Sequence, residues 1–342
     1  MAGIGFISCQ GVVNSDVLPS PSTFGPGPVR AIAHGNGRFV ATGGFVNTSA
    51  IATSDDGINW TLANTNVFGT NPVLVITHGN GRFVAISDNG RMATSTDGIN
   101  WTLVSNSAFG TSMIMPMAIT HGNGRFVAGG GFGTIITSTD GINWTTVNTN
   151  AFGTNLINAI THGNGMFVAV FASGRIATSS DGINWTVIGF NTNNIRAITH
   201  GNGRFVAVGS IGRIATSTDG TNWTATNFGT NNINAITHGN GKFASAGDFG
   251  TIITSVDGIN WITADASAFG TTHINAIAYG NGRFAVGGIN GRLAYWIEED
   301  PFMHTRFGFL EKHITANARR YRLSDGNWLN LNNNGTVTWS AN

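Results

Sequence analysis

Three kinds of residue recur along this chain in positions where they could do chemistry. Histidines stand at His34, His78, His121, His162, His200 and His238, and neutral imidazole is a common metal ligand. Arginines follow at Arg38, Arg82, Arg125, Arg204 and Arg283, with a second set at Arg91, Arg175, Arg213 and Arg292. Guanidinium groups of this kind grip carboxylates. Aspartates at Asp56, Asp97, Asp140, Asp181, Asp219 and Asp257 supply carboxyl groups for acid–base work. Yet each set falls in register, one member per interval of 38–44 residues. A metal needs three or four donors within about 2–2.5 Å, which residues spread one per repeat do not offer. The histidines read better as turn-stabilising partners, and Tyr279 in the seventh copy fits that reading. Asp88 and Asp248 are the obvious acids outside the repeat pattern. They lie four repeats apart, so no carboxylate pair at the about 5–9.5 Å of a glycosidase is expected, and no catalytic residue, metal or cofactor is assigned.

What must position these residues is the repeat itself. His-Gly-Asn-Gly recurs six times, and Tyr279-Gly-Asn-Gly makes a seventh copy. A period of this length means one supersecondary unit per copy, none able to bury its apolar face alone. In the copy from Ile195 to Asn227, four short strands alternate with turns at Gly201-Asn202-Gly203, Gly209-Ser210-Ile211-Gly212 and Thr218-Asp219-Gly220. Four antiparallel strands per copy is the content of a propeller blade.

Six copies carry Ser-x-Asp-Gly-x-Asn-Trp, with tryptophans Trp60, Trp101, Trp144, Trp185, Trp223 and Trp261. The Asp and Ser can accept hydrogen bonds from the turn's own amides, and the Trp can anchor the hairpin. The phrase resembles the Asp-box, or bacterial-neuraminidase, repeat family, over about three quarters of the chain. That resemblance implies a structural hairpin rather than a site, and a place in a non-enzymatic bacterial or phage branch. Sialidases of the family also use a tyrosine nucleophile with glutamate and aspartate partners, and Tyr279, Tyr295 and Tyr321 do not fall in matching positions.

The expected architecture is an all-β, seven-bladed propeller of four-stranded blades at residues 31–297. An N-terminal arm, 1–30, supplies the missing outer strand of blade seven at about 14–18, and 298–342 form a small β-rich extension. The loops between blades carry Phe68, Asn71, Phe109, Phe152, Asn155, Phe228, Asn231 and Phe269. Each Phe either plugs the gap between blades or, with Asn and Thr, forms a shallow pocket for a neutral sugar. In the extension, Arg319, Arg320, Tyr321, Trp328 and Trp339 lie on a three-strand meander suited to docking a protein partner, a larger assembly or a second copy.

Composition narrows the function. Only 10% of residues are charged and the net charge is +1, against about 25% charged in an average domain. A polyanion-binding groove is therefore not expected. No apolar run approaches the ~20 residues of a membrane span. Cys9 is the single cysteine, so no disulfide forms within the chain. Met1–Val13 lacks the basic start of a secretory signal. The expected role is a non-catalytic binding or structural propeller acting outside the producing cell, as a phage-like virion component or surface adhesin that binds protein partners or cell-surface glycans. An intracellular assembly scaffold is the alternative, and a glycosidase the third reading.

Overall fold

The computed structural model describes residues 18–19, 24, 27–45, 47–104, 116–147, 152–189, 194–264 and 269–297, and four strands between 311 and 340. Two compact units result, residues 14–297 and a unit built from 298–342 with 1–13. The larger is a seven-bladed propeller of four-stranded antiparallel sheets. Blade one is Val29–Gly35, Arg38–Gly43, Ala50–Ser54 and Thr61–Leu62. Blade five is Ile195–Gly201, Arg204–Gly209, Arg213–Ser217 and Thr224–Asn227. Blade seven takes three strands from Ile274–Gly280, Arg283–Gly288 and Leu293–Ile297 and its fourth from Leu18–Pro19, with Leu18 opposite Tyr295 and Pro19 opposite Ala294. The closing strand thus ends one residue past the expected segment, of which 14–17 lie outside the described residues.

Apolar side chains fill the space between neighbouring sheets. Val206 and Val208 of blade five pack with Ile233, Ile236, Phe243 and Ile253 of blade six. At the seam, Val29, Phe39 and Ala41 join Ala276, Ala285 and Leu293.

The His-Gly-Asn-Gly phrase is the device that joins blades. Its Asn and second Gly both take positive φ, as at Asn202 (48°) and Gly203 (71°), which makes a tight hairpin turn. The Asn side chain then crosses to the next blade. Asn36 Nδ2 donates to Gly81 O (3.0 Å) and Thr96 O (2.9 Å), and Asn281 closes the circle onto Gly37 O and Asp55 O. The first Gly makes room for a ring. A Cβ on Gly201 would lie 2.0 Å from His238 Cγ, and each copy repeats this, from Gly35 beneath His78 to Gly280 beneath His34. Six imidazoles and Tyr279 therefore form a closed circle of rings, each against a neighbour's glycine and beside its own blade's Phe, as His34 is to Phe39 at 4.6 Å. Each histidine thus packs on the turn of the neighbouring blade. All six Nε2 atoms are buried without a hydrogen-bond partner among the described residues.

The arginines after these turns lay their stems on the next blade's Asp-box glycine and donate from Nη1, as Arg125 does to Thr137 Oγ1 at 3.3 Å. Arg125 Cδ lies 3.2 Å from where a Cβ on Gly182 would be, and Met166 Sδ takes the same place beside Gly220. Long charged side chains commonly cover apolar surface in this way. Arg125→Met should therefore leave stability within about 0.5 kcal/mol of wild type, while Arg125→Ala loses about 1 kcal/mol of packing. Chemical denaturation of both variants checks this, and equal losses would show that the charge matters instead.

The Asp-box hairpins are closed by local hydrogen bonds. Asp97 Oδ1 accepts from Ser95 Oγ, Ile99 N and Asn100 N, all at 2.8 Å, Oδ2 accepts from Asn100 Nδ2, and Trp101 Nε1 donates to Gly98 O at 3.1 Å. Desolvation raises the Asp97 pKa, but the donors of Asn100, Ile99 and Ser95 outweigh it and hold the carboxyl well below its ordinary range.

The smaller unit is a four-stranded antiparallel meander, Glu311–Ile314, Ala318–Arg322, Trp328–Asn332 and Val337–Ser340. It has one strand more than the sequence suggested, because Glu311–Ile314 pairs with Arg319–Arg322. Tyr321, Leu329 and Trp339 stand opposite one another across three strands, and Arg319 and Arg320 sit beside Tyr321.

Candidate functional site

Each inner strand carries one extra residue where it enters the sheet. In blade one, Val29 pairs with Gly43 and Ala31 with Thr42, so Arg30 is left as a bulge. The same shift isolates Leu74, Met117, Asn158, Arg196, Asn234 and Asn275 in the other blades. Bulges interrupt the ladder and re-aim a side chain, and they cluster at barrel rims beside sites. Here all seven bulged residues line one cavity of about 880 Å³ at the axis. Next along each strand comes a collar of isoleucines, including Ile32, Ile76, Ile160 and Ile236, around a narrower space of about 240 Å³. The ring of histidines lies at the opposite end of the same strands.

The mouth is asymmetric. Leu74 and Met117 give blades two and three an apolar arc, and the remaining five blades present amides and guanidinium groups. The polar arc is wired across blades. Arg196 donates from Nε to Ser210 Oγ (3.2 Å) and from Nη1 to Asn234 Oδ1 (3.1 Å). Asn234 Nδ2 donates to Asp248 Oδ1 (2.8 Å) and to Ile274 O (3.1 Å) in blade seven. Asn232 Nδ2 holds the other carboxylate oxygen at 2.8 Å, and His273 Nδ1 lies 2.9 Å from Asp248 Oδ1. Asn158 reaches Asn194 Oδ1 and Ile195 O in the same manner. Desolvation raises the Asp248 pKa, but the hydrogen bonds from Asn234, His273 and Asn232 outweigh it, so the group is held ionised. Asp88 Oδ1, from blade two, is buried and has no hydrogen-bond partner among the described residues. Asp88 and Asp248 share this mouth. Blades two and six bring the two acids to one opening because all seven blades converge on the axis.

Short turns beside the mouth carry a second anomaly. Phe132, Ile211, Phe249 and Asn290 take φ of 53°, 56°, 54° and 58°, each followed by a glycine with positive φ. Asparagine suits that position, whereas a β-branched or bulky residue is strained there by about 1–2 kcal/mol. Phe132 is 65% exposed, Ile211 52% and Phe249 59%, so burial offsets little of the strain, although Phe249 does pack on His273 at 5.2 Å. Ile211→Asn should raise stability by about 0.5–1 kcal/mol. A thermal melt checks it, and a lower midpoint would show that the isoleucine serves the fold.

The loop residues singled out in the sequence divide. Phe68, Phe152 and Phe269 are fully buried between blades, where Phe152 meets Phe171 at 5.0 Å and Trp185 at 5.9 Å. They offer no open face to a sugar. Asn71 and Asn155 donate to the carbonyls of Phe68 and Phe152 and so hold the loops closed. Phe109 lies outside the described residues. Phe228 is only half-buried, because its N–H continues the outer strand's ladder onto Gly212 O. It lines a separate cleft with Asn231 and Phe249. Six Asp-box aspartates lie on turns with the His-Gly-Asn-Gly hairpins, away from the mouth.

Residues 117–238, from the inner strand of blade three to that of blade six, match the DUF6242 beta propeller domain. No curated protein matches the sequence. Among solved structures, YCF48 bound to D1 peptide is 15% identical with a TM-score of 0.67, covering 86% of this chain and all of that one. Virginiamycin B lyase from Staphylococcus aureus, in an inactive form with quinupristin, is 15% identical with a TM-score of 0.71, covering 82% of this chain and 99% of that one. The WD40 propeller domain of Doa1 is 14% identical with a TM-score of 0.62, covering 84% of this chain and 98% of that one. At such identities the likeness establishes the propeller fold, within which the Asp-box pattern fits.

Proposed function

We propose that the chain is a non-catalytic recognition propeller that takes a protein segment at the mouth of its funnel and acts outside the cell that makes it, as a virion component or surface adhesin. One observation carries the reading: the blades are near copies, but the bulged residue at the mouth ranges from cation through amide to aliphatic. Repetition builds the ring and divergence builds the recognition surface. Amide and guanidinium groups suit peptide carbonyls, Leu74 and Met117 suit an apolar side chain, and Asp88 Oδ1 suits a donor. The YCF48 structure, with its D1 peptide, supports a protein segment as the class of ligand. Asp248 is held ionised by its donors and is unsuited to act as a general acid. The C-terminal meander, with Tyr321, Trp328 and Trp339, provides attachment to a larger assembly or a second copy.

Panning a random peptide library on the full chain tests the mouth. Enriched peptides should lose about tenfold or more in affinity for Asp88→Asn and Arg196→Gln variants, and undiminished binding by both would sink the reading. Fractionation of cultures into particles, cell surface and lysate tests the location. Confinement to the lysate would favour the intracellular scaffold.

A further inference from the structure

The cleft on blade six, beside the loop that arrives from blade five, has a chemistry of its own. It is a space of about 550 Å³ lined by Phe228, Thr230, Asn231, Phe249, Thr251 and Thr263 among others, within the size range of small-ligand pockets. Among the described residues, no ionisable side chain lines it. Phe249 stands at its edge, 59% exposed at a φ of 54°. At other blade junctions the corresponding loop rings, Phe68, Phe152 and Phe269, are buried plugs, whereas Phe228 here is half-buried and adds a second aromatic wall.

We propose that this cleft binds a neutral sugar, a pyranose residue of an uncharged oligosaccharide. An exposed aromatic ring offers a flat apolar surface to the C–H face of a pyranose. Thr230 and Thr263 are exposed and bring hydroxyl groups that donate and accept. Asn231 is fixed in orientation, since its Nδ2 donates to Thr251 Oγ1 at 3.0 Å while that hydroxyl donates to Asp248 O at 2.7 Å. The Asn231 amide oxygen is thereby left as an acceptor for a sugar hydroxyl. The absence of charge in the lining selects against sialylated and uronate sugars, which would lose hydration with no cation to replace it. The Phe249 turn accounts for its own strain on this reading: a tip of Asn would make the turn more easily and give the sugar nothing to stack on. No residue lines both this cleft and the peptide-binding mouth, although the two adjoin through Asp248, whose backbone oxygen accepts from Thr251 Oγ1, and through His273, whose ring lies 5.2 Å from that of Phe249.

An array of neutral hexose and N-acetylhexosamine oligosaccharides, with sialylated and uronate oligosaccharides alongside, is the test, followed by saturation-transfer NMR on the retained probes. Wild type should retain neutral members, and Phe249→Asn should weaken them at least tenfold while its melting temperature holds or rises. Phe132→Asn, on a different blade, and Arg196→Gln, at the mouth, should bind as wild type does. Retention of acidic members only, no retention at all, or undiminished binding by Phe249→Asn would overturn the proposal. None of these outcomes bears on the peptide reading, whose variants lie elsewhere.

Discussion

Gly201→Ala is expected to lower the melting temperature by roughly 5–10 °C, the consequence of about 3 kcal/mol of overpacking. The glycine is needed for space, since its φ is not in the left-handed region. An added Cβ would stand 2.0 Å from His238 Cγ and 2.2 Å from Cδ2, and that ring is itself packed beside Phe243 at 4.8 Å. Backing away would push the imidazole into a filled wall or force neighbouring blades apart. Gly203→Ala is the contrast. Nothing lies within 4 Å of its added Cβ, and only the positive φ of 71° opposes it, a cost of about 1–2 kcal/mol. A double variant, Gly201→Ala with His238→Ala, should recover some of the loss, because the methyl then enters space that the ring vacated. If the two single losses simply add, the ring does not rest on the glycine.

A steep loss of stability as pH falls through 6.5 toward the lowered histidine pKa values is the second large effect. Burial lowers the pKa of all six ring histidines, and neighbouring imidazoles add to it, His34 and His121 at His78, and His238 and His162 at His200. A histidine whose folded pKa lies below the ordinary 6.5 takes up its proton more readily once unfolded. Its contribution to stability is therefore complete above that value and is lost as pH falls toward the folded pKa. Six such groups act in the same direction, so the slope of melting temperature against pH should be unusually steep there. The Asp-box carboxyls, lowered from 3.8, remain ionised throughout this window and contribute only at more acid pH. His238→Tyr copies what blade seven already does with Tyr279, so it should fold and should reduce the slope. An unchanged slope in that variant would exclude the ring as its source.

Much of the fold could be read from the sequence because its determinants are local and repeated. Asn-Gly turns, alternating apolar strands and Asp-box hairpins each span a few residues, and the missing fourth strand of the last copy pointed back to the start of the chain. Leu18–Pro19 supplies it. The mouth was not legible in the same way. A β-bulge leaves no mark in composition, and the one-residue shift at Arg30 or Asn234 follows from how a strand enters its sheet. A signal was nonetheless present. Aligned on His-Gly-Asn-Gly, the position four residues before the histidine is the only one in the inner strand that passes from Arg through Leu and Met to Asn. The repeated Phe-Gly-Thr loops misled in the opposite sense, since Phe152 and Phe228 share a motif but not an environment.

The strand at Leu18–Pro19 is among the first segments of the propeller to leave the ribosome, yet its partner, Leu293–Ile297, is among the last. At about 5–20 residues per second, the interval between them is roughly 15–55 s of translation. For that time six blades can stack in order, each latched to the one before by that blade's Asn and its own His, while the exposed faces of blades one and six wait for the seventh. Closure is thus a single late event, and a ribosome that stalls before residue 293 leaves a growing arc with two sticky ends. Such arcs from neighbouring ribosomes are suited to join one another, so the speed of synthesis over the last blade should decide how much of the product closes as a ring.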